Sequence, residues 1–130
     1  MQRDLTNIIQ HRIEFADYSL DPTYQTIITP DKIIRLRNKL FFVLAYLVSN
    51  QGKLVTREQL VEDCWLGNHY TGQKAVTHSI YHLRKLIEEL RIPASITTLS
   101  KQGYIFRILD HTSSKRYTTI QDYPNQEFSL

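Results

Sequence analysis

The apolar positions of this chain change period near residue 38. Ahead of that point, three short segments rich in β-branched and aromatic residues, 12–20, 24–29 and 32–37, are separated by turns that contain proline. Such segments at short spacing, with no helical pattern between them, predict three strands of an antiparallel meander.

Two helices are predicted after the change of period. Residues 40–48 place their apolar side chains on one helical face, with Asn38 as the expected N-cap and Gly52 just beyond the end. The next helix begins at Thr56, because Thr56 and Gln59 have the spacing of a capping box.

A third helix, from about residue 73 to residue 91, has the longest apolar stripe. Its members step by four, three, four and three residues, namely Val76, Ile80, Leu83, Ile87 and Leu90. Pro93 stops the helix, and segment 66–72 ahead of it has the composition of a turn.

A hairpin is predicted after the third helix. Strands 96–99 and 104–109 flank a turn at residues 100–103, which contains glycine and a basic tip. A short link between the second and third helices, followed by a hairpin, indicates an α+β fold of the winged helix-turn-helix class. The expected organisation is a flexible lead-in, the winged-helix domain and a polar C-terminal extension, at residues 1–11, 12–109 and 110–130.

Charge adds a candidate partner. The chain carries a net charge of +3, but residues 65–107 alone carry +4 whereas residues 1–34 carry −2. Such a distribution favours a polyanionic partner, although many soluble domains show a similar asymmetry by chance.

Composition limits where the protein acts. The longest apolar run, residues 40–48, is much shorter than the roughly 20 residues of a membrane span. The first residues are polar and unlike a signal peptide, and the single cysteine, Cys64, has no intramolecular partner for a disulfide. We therefore expect a cytoplasmic protein that makes no membrane contact through this chain.

The exposed face of the third helix is suited to DNA. At about 100° per residue, the arc opposite the apolar stripe contains basic, imidazole, phenol and hydroxyl side chains. They are Lys74, Thr77, His78, Tyr81, His82 and Lys85, with Arg84 near one edge. These groups can contact base edges or phosphates. The carboxylates Glu88 and Glu89 come only in the last turns, so the face differs from an ordinary solvated one.

Other chemistry has little support. His78 and His82 have the spacing of a metal-binding pair, but position 79 is Ser79 and spacing suggests no third ligand. Cys64 lies on the apolar face of the second helix, which favours burial over reactivity. No phosphate loop or catalytic constellation is present, so we expect no metal, no cofactor and no enzymatic activity. Trp65 fits either the core or a contact between its indole N–H and a phosphate.

Residues 40–104 resemble the effector domain of OmpR-type winged-helix regulators. The similar stretches are LFFVLAYLV, TREQLVEDCW, AVTHSIYHLRKLI and QGYIF. Asp21-Pro22 and the phrase VTHSIYHLRK are closer to the ToxR and CadC branch. The resemblance covers roughly residues 12–109. It implies sequence-specific binding of double-stranded DNA and regulation of transcription, with the third helix in the major groove and the hairpin at the minor groove.

The resemblance also assigns roles by position. It implies base contacts for Lys74, His78, Tyr81 and His82. It implies phosphate contacts for Thr77, Arg84 and Trp65, and wing-tip contacts for Lys101 and Gln102. The family's usual threonine cap of the first helix is replaced here by Arg37, beside Asn38.

The resemblance implies partners as well. They are promoter DNA, arranged as direct repeats, and a second copy in a weak or DNA-induced homodimer. No receiver domain precedes this domain, so phosphorylation of such a domain within the chain is not expected. The membrane helix of the ToxR and CadC branch is also missing, which leaves a fragment of a membrane-tethered regulator or a free-standing protein. The alternative function is a winged-helix module that binds protein instead of DNA.

Overall fold

The computed structural model describes residues 11–109, so the expected lead-in and C-terminal extension lie almost entirely outside the described residues. The chain begins with a four-stranded antiparallel sheet in the order β1-β2-β3-β4. Its strands are β1 (Ile13–Phe15), β2 (Tyr18–Asp21), β3 (Thr26–Ile28) and β4 (Ile33–Arg35). The prediction of three strands was wrong because segment 12–20 is a hairpin: Ala16, at φ +52°, turns the chain between β1 and β2.

Three helices follow, and their starts differ from the predictions. They are α1 (Asn38–Ser49), α2 (Arg57–Cys64) and α3 (His69–Glu89). Asn38 is the first helical residue rather than the N-cap; Arg37 occupies that position and makes no side-chain capping bond. The capping box of α2 is confirmed, since Thr56 Oγ1 accepts from Gln59 N at 3.0 Å and Gln59 Oε1 accepts from Thr56 N at 2.8 Å.

The helix α3 begins about one turn before the predicted start. Asn68 caps it, because its Oδ1 accepts from Tyr70 N at 3.1 Å and from Thr71 N at 3.4 Å. The polar residues interpreted as a turn are therefore a short corner followed by the first helical turn. Gly72, in that turn, is buried against Val61 of α2. This close approach sets the distance between the two helices.

A second sheet forms the wing. The predicted hairpin is present as β6 (Ala94–Leu99) and β7 (Gly103–Ile108), joined by a turn at residues 100–102. The strand β5 (Leu54–Thr56) pairs with β7, giving the order β5-β7-β6. The pattern missed β5, because it has three residues and runs directly into the capping box of α2.

The core confirms the predicted face of α3. Val76, Ile80, Leu83 and Ile87 are buried, and Leu90 is half-buried. The N-terminal sheet reaches the end of α3 through Tyr18, whose Oη donates to the carbonyls of Leu90 and Arg91, the latter at 3.1 Å. Burial, followed by the charges of Asp17 and Asp31, raises the pKa of the Tyr18 phenol, so the phenol stays protonated as a donor. The described residues thus form an α+β winged helix-turn-helix with its exposed helix anchored at both ends.

Candidate nucleic-acid interface

Four side chains predicted to contact bases lie together on the outer face of α3. Lys74, His78, Tyr81 and His82 are all exposed. The ring centroids of His78 and His82 are 5.7 Å apart, and those of Tyr81 and His82 are 5.4 Å apart, both edge to face. Lys85 Nζ lies 5.3 Å from the Tyr81 ring centroid, a cation–π contact. The face is therefore a continuous surface of hydrogen-bonding groups and rings, open to a large partner.

Thr77, at the edge of this face, is held by a residue that the sequence analysis did not assign. Arg57, the first residue of α2, donates to Thr77 Oγ1 at 3.0 Å, to Gln73 Oε1 at 3.0 Å and to the Gln73 carbonyl at 2.7 Å. It also donates to the hydroxyl of Tyr104 in β7. Arg57 thus connects α2, α3 and the wing.

A shallow pocket adjoins this arginine. Its volume is 470 Å³, and it is lined by Arg57, Gln73, Lys74, Ala75, Thr77 and His78. The pocket lies at the N-terminal half of α3, which is the half that winged-helix domains insert into the major groove. In the sequence, the only signal for a role of Arg57 is its position in the first turn of α2, inside the capping box.

Arg84 faces the wing. Its Nη2 donates to the Ile96 carbonyl at 2.6 Å and to Thr98 Oγ1 at 2.7 Å, and its Nε donates to the same carbonyl at 3.1 Å. These bonds hold the C-terminal half of α3 against β6. The predicted phosphate contact of Arg84 stays a prediction, and only the donors of Arg84 that the wing does not use are open for it.

Trp65 lies at the C-cap of α2, where it is half-buried and packs against the core. Lys39 Nζ lies 5.7 Å from its ring centroid and donates to the Cys64 carbonyl. Trp65 thus packs partly against the core and lies beside a lysine, and its predicted contact with a phosphate stays a prediction.

The wing tip is exposed and firmly connected to the rest of the domain. Lys101 and Gln102 occupy the turn, with Lys101 at φ +62°, and Gln102 N donates to the Leu99 carbonyl at 2.9 Å. The Gln102 carbonyl accepts from Arg57 N at 3.4 Å, which connects the tip to the start of α2. The structure thus places most of the predicted residues on two surfaces, the helix face and the wing tip, which Arg57 joins. Trp65 lies apart at the C-cap of α2, and Arg84 faces β6.

Between residues 11 and 109 no three histidine, cysteine or acidic side chains are grouped as a metal site. Burial, followed by the charge of Asp63, raises the pKa of the Cys64 thiol to about 12, so this cysteine is a poor nucleophile. No helix in the same range has the length and apolar character needed to cross a membrane.

These features define a winged helix-turn-helix domain whose third helix has an exposed basic and aromatic face. The family model described as "Transcriptional regulatory protein, C terminal" matches residues 31–106, and the chain belongs to this family. It is a DNA-binding domain of transcriptional regulators of the OmpR/PhoB type, a family of transcription-factor domains and not of enzymes.

Known proteins with this domain include sensory regulators. The sensory transduction protein BceR of Bacillus subtilis is 30% identical over 82 residues, which are 62% of this chain and 36% of that protein. The phosphate regulon transcriptional regulatory protein PhoB of Klebsiella pneumoniae is 27% identical over 106 residues, 82% of this chain and 46% of that protein. The chain thus spans less than half the length of these curated relatives.

Among solved structures, the DNA-binding domain of CadC from E. coli superposes with a TM-score of 0.66 at 22% identity, covering 83% of this chain and 95% of that one. At this identity the likeness establishes the fold alone, so it supports the winged-helix architecture and leaves the choice of branch open.

Proposed function

We propose that this domain binds double-stranded promoter DNA in a sequence-specific manner, with α3 in the major groove and the wing tip at the adjacent minor groove. The observation that carries the proposal is the outer face of α3. Side chains able to contact bases occupy its second to fourth turns, and the carboxylates Glu88 and Glu89 come only at its end. The RstA DNA-binding domain of Klebsiella pneumoniae, solved in complex with an RstA box, is 26% identical with a TM-score of 0.60, over 74% of this chain and 96% of that one.

The proposed roles follow the positions of the side chains. Base reading falls to the central group of exposed residues, Lys74, His78, Tyr81 and His82. Phosphate contact falls to the edges of the face and the corner before it, Thr77, Arg84 and Trp65, and wing contact falls to Lys101 and Gln102. The histidines and lysine can donate to guanine, and the rings can contact thymine methyl groups.

The regulatory context is also a proposal. Relatives by sequence such as BceR are named as sensory transduction proteins, whereas the resemblance in VTHSIYHLRK favours the ToxR and CadC branch. We keep that branch as the proposed one, with action in the cytoplasm and control by parts of the regulator other than this domain. We further propose binding to direct repeats by copies that dimerise weakly or only on DNA.

The test begins with selection of bound sequences from random duplexes. The preferred duplex and an unrelated one are then titrated at two salt concentrations. Affinity for both should fall steeply with salt, as counterions are released from the phosphates. His78→Ala should lower affinity for the preferred duplex by about 1–3 kcal/mol and leave the unrelated duplex nearly unchanged.

The matched control is Glu88→Ala, an exposed substitution near the end of the same helix, which should leave discrimination unchanged. Equal loss on both duplexes from His78→Ala would remove the base-reading role of this face. No measurable binding of any duplex by the folded parent protein would favour the protein-interaction module instead.

A further inference from the structure

A second basic surface lies on the side of α3 that faces α1, away from the wing. A groove of 680 Å³ runs between α3 and the junction of β4 with α1. Six basic or imidazole side chains are among those that line it, Arg35, Arg37, Lys39, Lys85, His78 and His82. Glu89, in the last turn of α3, is the only carboxylate among the described residues that line it. The groove therefore has the charge expected of a site for a polyanion.

The backbone presents two of these cations to solvent in a fixed arrangement. Leu36 is buried, while Arg35 and Arg37 on either side of it are exposed, as an extended chain requires. The two arginines are thus about 7 Å apart along the chain. Leu36 N donates to the Gln25 carbonyl at 2.9 Å, which keeps this segment paired with the sheet. Within residues 11–109, neither guanidinium donates a hydrogen bond, so the donors of both are open to a ligand.

Lys39 extends the basic surface to the corner before α3. Its ammonium group uses one donor on the Cys64 carbonyl and lies over the Trp65 ring. Two of its three N–H groups are left for a partner. The first turn of α1 contains no acidic residue, so no side chain there offsets the positive end of the helix dipole. Basic side chains thus line one side of α3 from Lys39 to Arg35.

We propose that this groove holds the sugar–phosphate backbone on one side of the major groove that α3 enters, while the wing contacts the DNA on the other side. The proposal rests on the proposed function and adds a contact surface to it. A helix in the major groove has a backbone on each side, and phosphates of either strand are the polyanion nearest to its edges. The proposed base-reading side chains His78 and His82 line the same groove as the arginines and lysines, so a single duplex contacts both sets.

The test is the double variant Arg35→Gln with Arg37→Gln. Both side chains are exposed, so the thermal unfolding temperature should stay that of the parent. Affinity should fall by the same factor for the preferred duplex and for an unrelated one, because phosphates carry no sequence. The slope of log K against log salt should become shallower by about two, at roughly 0.9 per lost phosphate contact. Ethylation interference should lose the signal of the phosphates beside the recognition site.

The matched control is Lys32→Gln with Lys53→Gln, which removes the same charge from exposed positions outside the groove and outside the strands of the wing. Its salt slope and interference pattern should equal those of the parent. If the parent binds DNA and the two double variants behave alike, the groove proposal is overturned while the proposed function stands. Loss confined to the preferred duplex would also overturn it, since the arginines would then read bases. A folded parent that binds no DNA would remove the proposed function and the groove proposal together.

Discussion

The contact between α2 and α3 depends on the absence of a side chain at Gly72. A Cβ built at this helical position would lie 2.8 Å from Val61 Cγ1 and 3.2 Å from Val61 Cγ2. Val61 is fully buried, and a β-branched side chain has little rotamer freedom in a helix. The Gly72→Ala variant must therefore push the two helices apart or distort Val61.

Two opposing effects set the size of the change. Alanine gains about 1 kcal/mol over glycine in helix propensity. Overpacking a filled core costs typically about 1–3 kcal/mol. We expect Gly72→Ala to lower the free energy of unfolding by up to about 2 kcal/mol. In a domain of this size, each kcal/mol lost should lower Tm by about 4–8 °C.

A double-mutant cycle with Val61→Ala isolates the contact. In the Val61→Ala background the methyl group that Gly72→Ala introduces enters space that the valine vacated, so the substitution should there raise the free energy of unfolding. Urea denaturation followed by circular dichroism measures all four proteins, with Thr71→Ala as an exposed neighbour that should change stability by less than about 0.5 kcal/mol. If Gly72→Ala stabilises the parent, or has the same effect in both backgrounds, the close approach does not limit the fold.

Three further predictions concern the wing and the core. Gly103→Ala should abolish the cooperative unfolding transition or lower Tm sharply, because the added Cβ would lie 2.1 Å from the Val55 carbonyl oxygen. An unchanged thermal unfolding curve would show that β5 and β7 can separate freely. Arg84→Ala should lower both the stability of the domain and its affinity for all DNA, because the substitution removes the hydrogen bonds between α3 and β6. Amide hydrogen exchange in β6 should become faster, and unaltered exchange would show that Arg84 does not hold β6 in place. Cys64 should resist alkylation at pH 8 in the folded protein and react quickly in urea, and rapid labelling of the native state would contradict its burial and raised pKa.

The sequence predicted those parts of the fold that depend on periodicity. The apolar stripe of α3 and the capping box of α2 are both local patterns, and both are confirmed. The start of α3 was placed too late because His69–Gly72 is polar and contains glycine, and only the packing against Val61 explains why glycine is tolerated there. The division of segment 12–20 into β1 and β2 was missed because the turn at Ala16 lacks glycine and proline.

The candidate site was predictable only in part, for a related reason. Exposure on the outer arc of α3 follows from helical angle, so the positions of His78 and Tyr81 could be predicted. The partners of Arg57 and Arg84 lie on α3 and the wing, 12 to 47 residues away in sequence, and no local pattern contains them. The groove beside Arg35 likewise exists only when β4, α1 and α3 are brought together.

The residues that hold α3 in place differ from the residues exposed on its outer face, and this difference has a consequence for specificity. Tyr18 fixes the C-terminal end of α3, Arg84 fixes its C-terminal half and Arg57 its N-terminal half, each through hydrogen bonds between α3 and another element. The central exposed residues, by contrast, have ring contacts mainly with one another, as between His78 and His82. Substitutions on that face should therefore change the preferred DNA sequence with little effect on the stability of the fold. Loss of Tyr18, Arg84 or Arg57 should instead weaken binding to every sequence. Since a rigid helix loses less conformational entropy on binding, these hydrogen bonds should also strengthen the proposed contacts of α3 with DNA.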